Sequence, residues 1–192
     1  MTATDTTTTT RPAPGTYTID PSHSEVGFSV RHAGIAKVRG QFTDFSGEIV
    51  VAESFADSTV NVEIKSASVD TRDENRDNHL RSADFWDAEN KPTWTFVSTG
   101  VEGTGPEFTV TGDLTINGVT KPATLEVEYN GAATDPFGNP RVGFSARTEI
   151  SRKEYGLTWN AALETGGVLV GDKIRISLEI SAIAATGEAQ QA

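Results

Sequence analysis

The chain of 192 residues contains no cysteine. That removes disulfide staples, thiolate zinc sites and cysteine nucleophiles together, and it leaves the redox compartment open. Basic residues are scarce as well: 16 Lys and Arg stand against 27 Asp and Glu, a formal net charge of −11. Scattered singly and outnumbered, they give no footprint for nucleic acid, and the global charge disfavours anionic membrane surfaces. No apolar run reaches the length of a membrane-spanning helix, so no membrane insertion is expected. The stretch MTATDTTTTTRPAPG lacks a basic n-region and an apolar h-region, so no secretory signal is read there and the cytoplasm is the expected compartment. Its threonines and prolines offer little surface to bury, so residues 1–14 are expected to form a flexible tail, like residues 185–192 at the other end. The span 15–184 is long enough to bury a core without disulfide or metal.

What is present is a period of two. Val26, Phe28, Val30 and His32 alternate with Glu25, Gly27, Ser29 and Arg31. Val60, Val62 and Ile64 do the same, as do Trp94 with Phe96, Phe108 with Val110, and Leu114 with Ile116. The pattern returns in Leu125–Tyr129, Val142–Ile150 and Ile174–Ile180. Such segments are half-buried antiparallel strands, apolar on one face and wet on the other. Residues 37–53 alternate less cleanly, and Gly40 and Gly47 suggest bends or bulges in one long strand. Asn117-Gly118 is the strongest hairpin signal, since both residues tolerate the positive φ of a type I′ turn. Only residues 73–87 and 151–167 look helical or irregular. Eight or nine hairpin-linked strands need their edges removed, and closure into an up-and-down barrel does so. Such a barrel is either filled by its own side chains or holds one small ligand.

The candidate chemistry is thin. His23 and His32 are nine residues apart, so a regular strand sends them to opposite faces, roughly 30 Å apart at ~3.3 Å per residue. They share no metal without a fold-back, and His79 lies in another segment. Ser29 and Ser145 fall on the wet face, away from His32, and no strained G-x-S-x-G elbow is present. Asp73, Asn75, Asp77 and Asp84 have the spacing of a calcium loop, but Asn78 stands where the turn needs glycine and a strand-like SASVD precedes. A solvated segment ending in a short helix, with Leu80, Phe85 and Trp86 tucked onto the barrel, fits those residues better. No phosphate-cradling glycine loop and no buried carboxylate pair stand out. The aromatic residues spread over many strands serve either an ordinary core or a long apolar cavity for a lipid chain.

In order along residues 15–183, YTIDPSHSEVGFSVRHAG, GQFTDFSGEI, HLRSADFWD, PTWTFVS, VTGDLTINGVTKPATLEV, ISRKEYGL and VGDKIRISLEI resemble the YceI family. The resemblance implies a lipocalin-like, eight-stranded antiparallel barrel with one or two short helices, often a homodimer, enclosing a polyisoprenoid or other long-chain amphiphile. No cofactor and no metal are expected. By position it gives Phe28, Val30, His32, Phe42, Trp94, Phe96 and Phe144 to the cavity wall. Leu80, Phe85 and Trp86 go to a covering segment, and Arg152 and Tyr155 to the closure of one end. Trp86 stands where the family usually carries phenylalanine. The expected function is binding or transport of an isoprenoid without catalysis. The alternatives are a lipid-modifying enzyme with His32 as general base, and a structural or stress-response protein with a filled barrel.

Overall fold

A computed structural model describes residues 10–185. It contains β1 (Gly15–Ile19), β2 (Glu25–His32), β3 (Ala36–Phe42), β4 (Phe45–Val51), β5 (Thr59–Lys65), β6 (Val69–Asp70), β7 (Thr93–Glu102), β8 (Glu107–Ile116), β9 (Val119–Thr134), β10 (Pro140–Ser151) and β11 (Val170–Ala184). The one α-helix among the described residues, α1 (Glu74–Arg81), lies between β6 and β7. Every ladder is antiparallel, and β1 and β2 both pair with β11, which closes the sheet.

The eleven segments make eight staves. A 3-10 turn at Pro21–His23 divides β1 from β2, residues 43–44 divide β3 from β4, and a 3-10 turn at Ser66–Ser68 divides β5 from β6. Each half pairs with the matching half of its neighbour: β1 with β4, β2 with β3, β4 with β5, β3 with β6. Consecutive staves are therefore adjacent all the way round, the up-and-down topology expected from hairpin-linked strands.

Two local readings of the glycines need revision. The register runs unbroken through Gly40 and Gly47, so neither is a bulge. They are clearances. A Cβ on Gly40 would lie 2.4 Å from the ring of Phe28, its cross-strand partner, and one on Gly47 would lie 2.7 Å from Ile19 Cδ1. The break in the long strand falls instead at residues 43–44. Asn117 and Gly118 adopt φ of +55° and +78° between the paired residues Ile116 and Val119, the two-residue turn expected of Asn-Gly.

The expected tail of residues 1–14 is too long. Residues 1–9 and 186–192 lie outside the described residues, but residues 10–14 cross one end of the barrel. Arg11 donates from Nε and Nη2 to Thr104 O and stacks over the Phe55 ring at 5.0 Å, Pro12 is buried, and Tyr17 Oη donates to Ala13 O at 2.7 Å. At the other terminus Ala185 N donates to Thr16 O, so residue 185 belongs to the barrel too.

Candidate functional site

Alternation aims one side chain in two at the barrel axis. The inward set leaves a tunnel of about 260 Å³ that runs from Pro12, Phe55 and Val101 at one end to Leu80, Arg152 and Val170 at the other. Between them the wall is Val, Ile, Leu, Phe and Trp, broken only by Ser58, Thr148 and small residues. Two glycines make room for phenylalanine rings. Gly40 faces Phe28, and a Cβ on Gly112 would lie 2.5 Å from Phe96 Cζ.

The Pro12 end is plugged by Phe55, which meets Phe108 edge-on at 5.0 Å. The opposite end has an aromatic layer and a cover. Phe28, Phe42, Trp86 and Trp94 form a connected set, with Trp86 and Trp94 at 5.1 Å and Phe42 and Trp94 at 5.1 Å. Over it, His79 from α1, Phe85 and Trp159 meet pairwise at 4.7–5.2 Å, and so join the helix to the segment 156–169.

Arg152 is the one charged side chain in the tunnel wall. Only 3 % exposed, it donates to four carbonyls: Nε to Gly171, Nη1 to Leu157 and Trp159, Nη2 to Val170. Burial lowers its pKa and Asp172 opposes that, but a guanidinium stays protonated in a protein. Burial also works against ionisation of Asp172, yet bonds from Ser151 and Lys153 N outweigh it and hold that carboxyl below the usual range. The 3-10 turn Arg152–Tyr155 that positions the guanidinium ends at Gly156, whose φ of +75° lets Leu157 N return to Arg152 O. The Trp94 indole Nε1, buried in the aromatic layer, has no acceptor among the described residues.

The sequence pattern of the YceI-like domain matches residues 17–182. The chain is 44% identical to protein YceI of Escherichia coli O157:H7 over 144 residues, 73% of this chain and 75% of that one. It belongs to the YceI-like family.

Solved structures repeat the architecture. BcnA of Burkholderia cenocepacia superposes with a TM-score of 0.74 at 23% identity, over 85% of this chain and 98% of that one. A polyisoprenoid binding domain from Saccharophagus degradans, implicated in plant cell wall breakdown, gives 0.67 at 15% identity over 88% and 98%.

Within this YceI-like barrel, Phe28, Val30, Phe42, Leu80, Phe85, Trp86, Trp94, Phe96, Phe144 and Arg152 all line the tunnel. His32 and Tyr155 do not. His32, the last residue of β2, sits at the rim opposite Ala36 and Val170 beside the turn at Ala33, and it is outside the set that lines the tunnel. Tyr155, 2 % exposed, is buried in the core behind the wall, where burial raises its pKa; the turn points Arg152 at the lumen in its place. The interior ionisable group is therefore Arg152 and not His32.

The carboxylates with calcium-loop spacing have other employment. Asp73 caps α1 through Arg76 N, Asp77 accepts from Thr71 N and Oγ1, and Asp84 bonds His79. Among the wall residues missed, Ile49, Val51, Val110, Val127 and Ile176 were marked by alternation or strand position. Pro12, Phe55, Leu157 and Val170 carried no signal, because they come from loops, strand ends and the N-terminal crossing.

Proposed function

We propose that this protein binds a long-chain isoprenoid, or an amphiphilic lipid of similar shape, inside the barrel, as a carrier or store and not as an enzyme. The observation that carries the reading is the continuous apolar wall from Pro12 to Arg152. A hydrocarbon chain gains about 0.8 kcal/mol per buried methylene in such a wall and needs few polar contacts. The polyisoprenoid-binding name of a domain of the same fold supports it. An apolar cavity of roughly 150 Å³ takes one benzene, so the tunnel in this closed state takes only a short chain, and a longer one requires the cover or wall to give. The free Trp94 N–H supplies a donor for a ligand oxygen among the aromatic rings. Pairing into a homodimer and a cytoplasmic location belong to the same proposal; sedimentation and cell fractionation test them.

The test is native mass spectrometry of the chain purified from its own host, beside an Ala146→Trp variant that fills the middle of the tunnel. The expected result is a bound lipid in the parent and none in the variant, with both giving the same far-ultraviolet dichroism. A parent that carries no lipid and takes up no member of a series of prenyl alcohols overturns the proposal.

A further inference from the structure

The outer face of the β2–β3 hairpin carries Arg31, Lys37 and Arg39, all exposed. Arg31 stands directly opposite Lys37 in the ladder, and Arg39 faces Ser29 one outward position further on. Like charges placed opposite each other destabilise a strand pair. None of the three joins an ion pair among the described residues, whereas Arg141, Arg147, Lys173 and Arg175 all do. From Val26 to Thr43 the sequence holds no Asp or Glu, in a chain whose net charge is −11. The expectation drawn from net charge alone, that anionic surfaces are disfavoured, overlooks this strip.

The tip of the same hairpin is apolar. Ala33 and Gly34 turn the chain with φ of +52° and +72° and leave Ile35 86% exposed. Ala33 N donates to Leu169 O at 2.7 Å, which ties the tip to a segment whose Val168 is 53% exposed. Both aliphatics sit on the rim of the Arg152 end, since Arg152 bonds Val170 O and Val170 pairs with His32. Exposed acids of this end, Asp73, Glu74, Asp84 and Glu89, lie on and around α1, while the β2–β3 hairpin carries none from Val26 to Phe42. Asp172 is engaged by Ser151, Glu149 by Lys173 and Arg175, and Glu164 is the one acid between Gly156 and Gly171.

We infer that this rim docks on the surface of an anionic lipid bilayer. Ile35 and Val168 enter the interfacial layer, Arg31, Lys37 and Arg39 rest on lipid phosphates, and the tunnel mouth faces the membrane from which its ligand comes. Protruding aliphatics flanked by cations suit a bilayer interface, where burial and charge add. The barrel lies on the membrane and does not cross it, because its outward positions include Glu48, Asn61, Glu63, Glu126 and Arg147, the inverse of a lipid-facing wall. The ligand transfer rests on the isoprenoid-binding proposal; the docking does not, and is measured apart from it.

The test is flotation of the full chain with vesicles of phosphatidylcholine alone and of phosphatidylcholine with phosphatidylglycerol, with host-lipid retention followed by native mass spectrometry. Binding is expected only to the anionic vesicles, weakening as salt shortens the screening length from about 10 Å at 0.1 M to 3 Å at 1 M. A Glu variant at all three positions, Arg31, Lys37 and Arg39, should lose at least about a hundredfold, roughly fivefold for each charge removed from the surface. Ile35→Ser with Val168→Ser should lose part of the binding, and both variants should keep their lipid. Equal partition to the two vesicle types overturns the inference, as does anionic-vesicle binding that survives the charge reversals or ignores the serine pair. Loss of lipid with docking intact would instead count against the tunnel.

Discussion

Arg141 Nη1 donates at 2.7 Å to Asp20 Oδ2, a residue 121 positions earlier in the chain. The same guanidinium donates from Nε to Asp135 at 2.8 Å, so one cation joins the start of β10, the β1–β2 turn and the β9–β10 loop. Bonds from Ser22 and then Arg141 hold the Asp20 carboxyl far below the usual carboxylate range; Asn139 N and then Arg141 do the same for Asp135. Depressed folded values make this contribution complete above the unfolded value, and it disappears as pH falls through the folded ones. Arg141→Met should therefore lower Tm by roughly 5 °C at neutral pH, the scale of losing charge-assisted bonds in a domain of this length. The gap between parent and variant should narrow only below about pH 3.9. Thermal melts across an acid series check this.

Gly40→Ala puts a methyl group where the Phe28 ring and Thr71 Cγ2 already lie, 2.4 and 2.9 Å from the new carbon. Overpacking of this kind costs about 1–3 kcal/mol. Urea denaturation should give that loss with an unchanged m-value. Gly105→Ala, where the new methyl meets open space and φ is not positive, is the control for replacing glycine without overpacking.

Trp94→Phe removes the fully buried indole donor that has no acceptor among the described residues and keeps an aromatic ring in the layer. If a ligand oxygen occupies that donor, a prenyl alcohol should bind the variant roughly tenfold more weakly, the worth of one hydrogen bond, while a hydrocarbon of equal length is unaffected. Fluorescence titration with the two ligands separates the cases.

Trp159 joins His79 and Phe85 at 4.7 and 5.2 Å and so fastens the segment 156–169 to α1. Trp159→Ala should release that cover, raising ligand exchange rates about tenfold or more and affecting the barrel's melting less than loss of a core aromatic, about 3–5 kcal/mol, would. Stopped-flow exchange of a fluorescent polyene checks the rate.

The barrel was legible because alternation states which face each strand buries. Period put Phe28, Trp94, Phe96 and Phe144 on the apolar face, and the family resemblance made that face a cavity wall. His32 shows where that rule runs out: alternation continues on paper to the last residue of β2, which stands at the rim and lines nothing. Arg11 and Pro12 show the complementary limit. A Thr- and Pro-rich stretch looks unable to bury surface, yet two of its residues close one end because Phe55 and Thr104 O are there to receive them. No local pattern encodes a partner 93 positions away. The cationic strip was equally hidden, since Arg31 and Lys37 become neighbours only once the hairpin fixes its register.

The three interruptions that divide β1 from β2, β3 from β4 and β5 from β6 lie side by side. Thr43 N reaches Ser68 O, Lys65 N reaches Asp44 O, and Ser24 Oγ bridges to Ser181 of β11. They form a crease across three neighbouring staves, while the other five run uncut from rim to rim. Along the crease the regular ladder is replaced by isolated bonds. The tube is therefore built unevenly, with jointed staves on one side and long unjointed ones on the other.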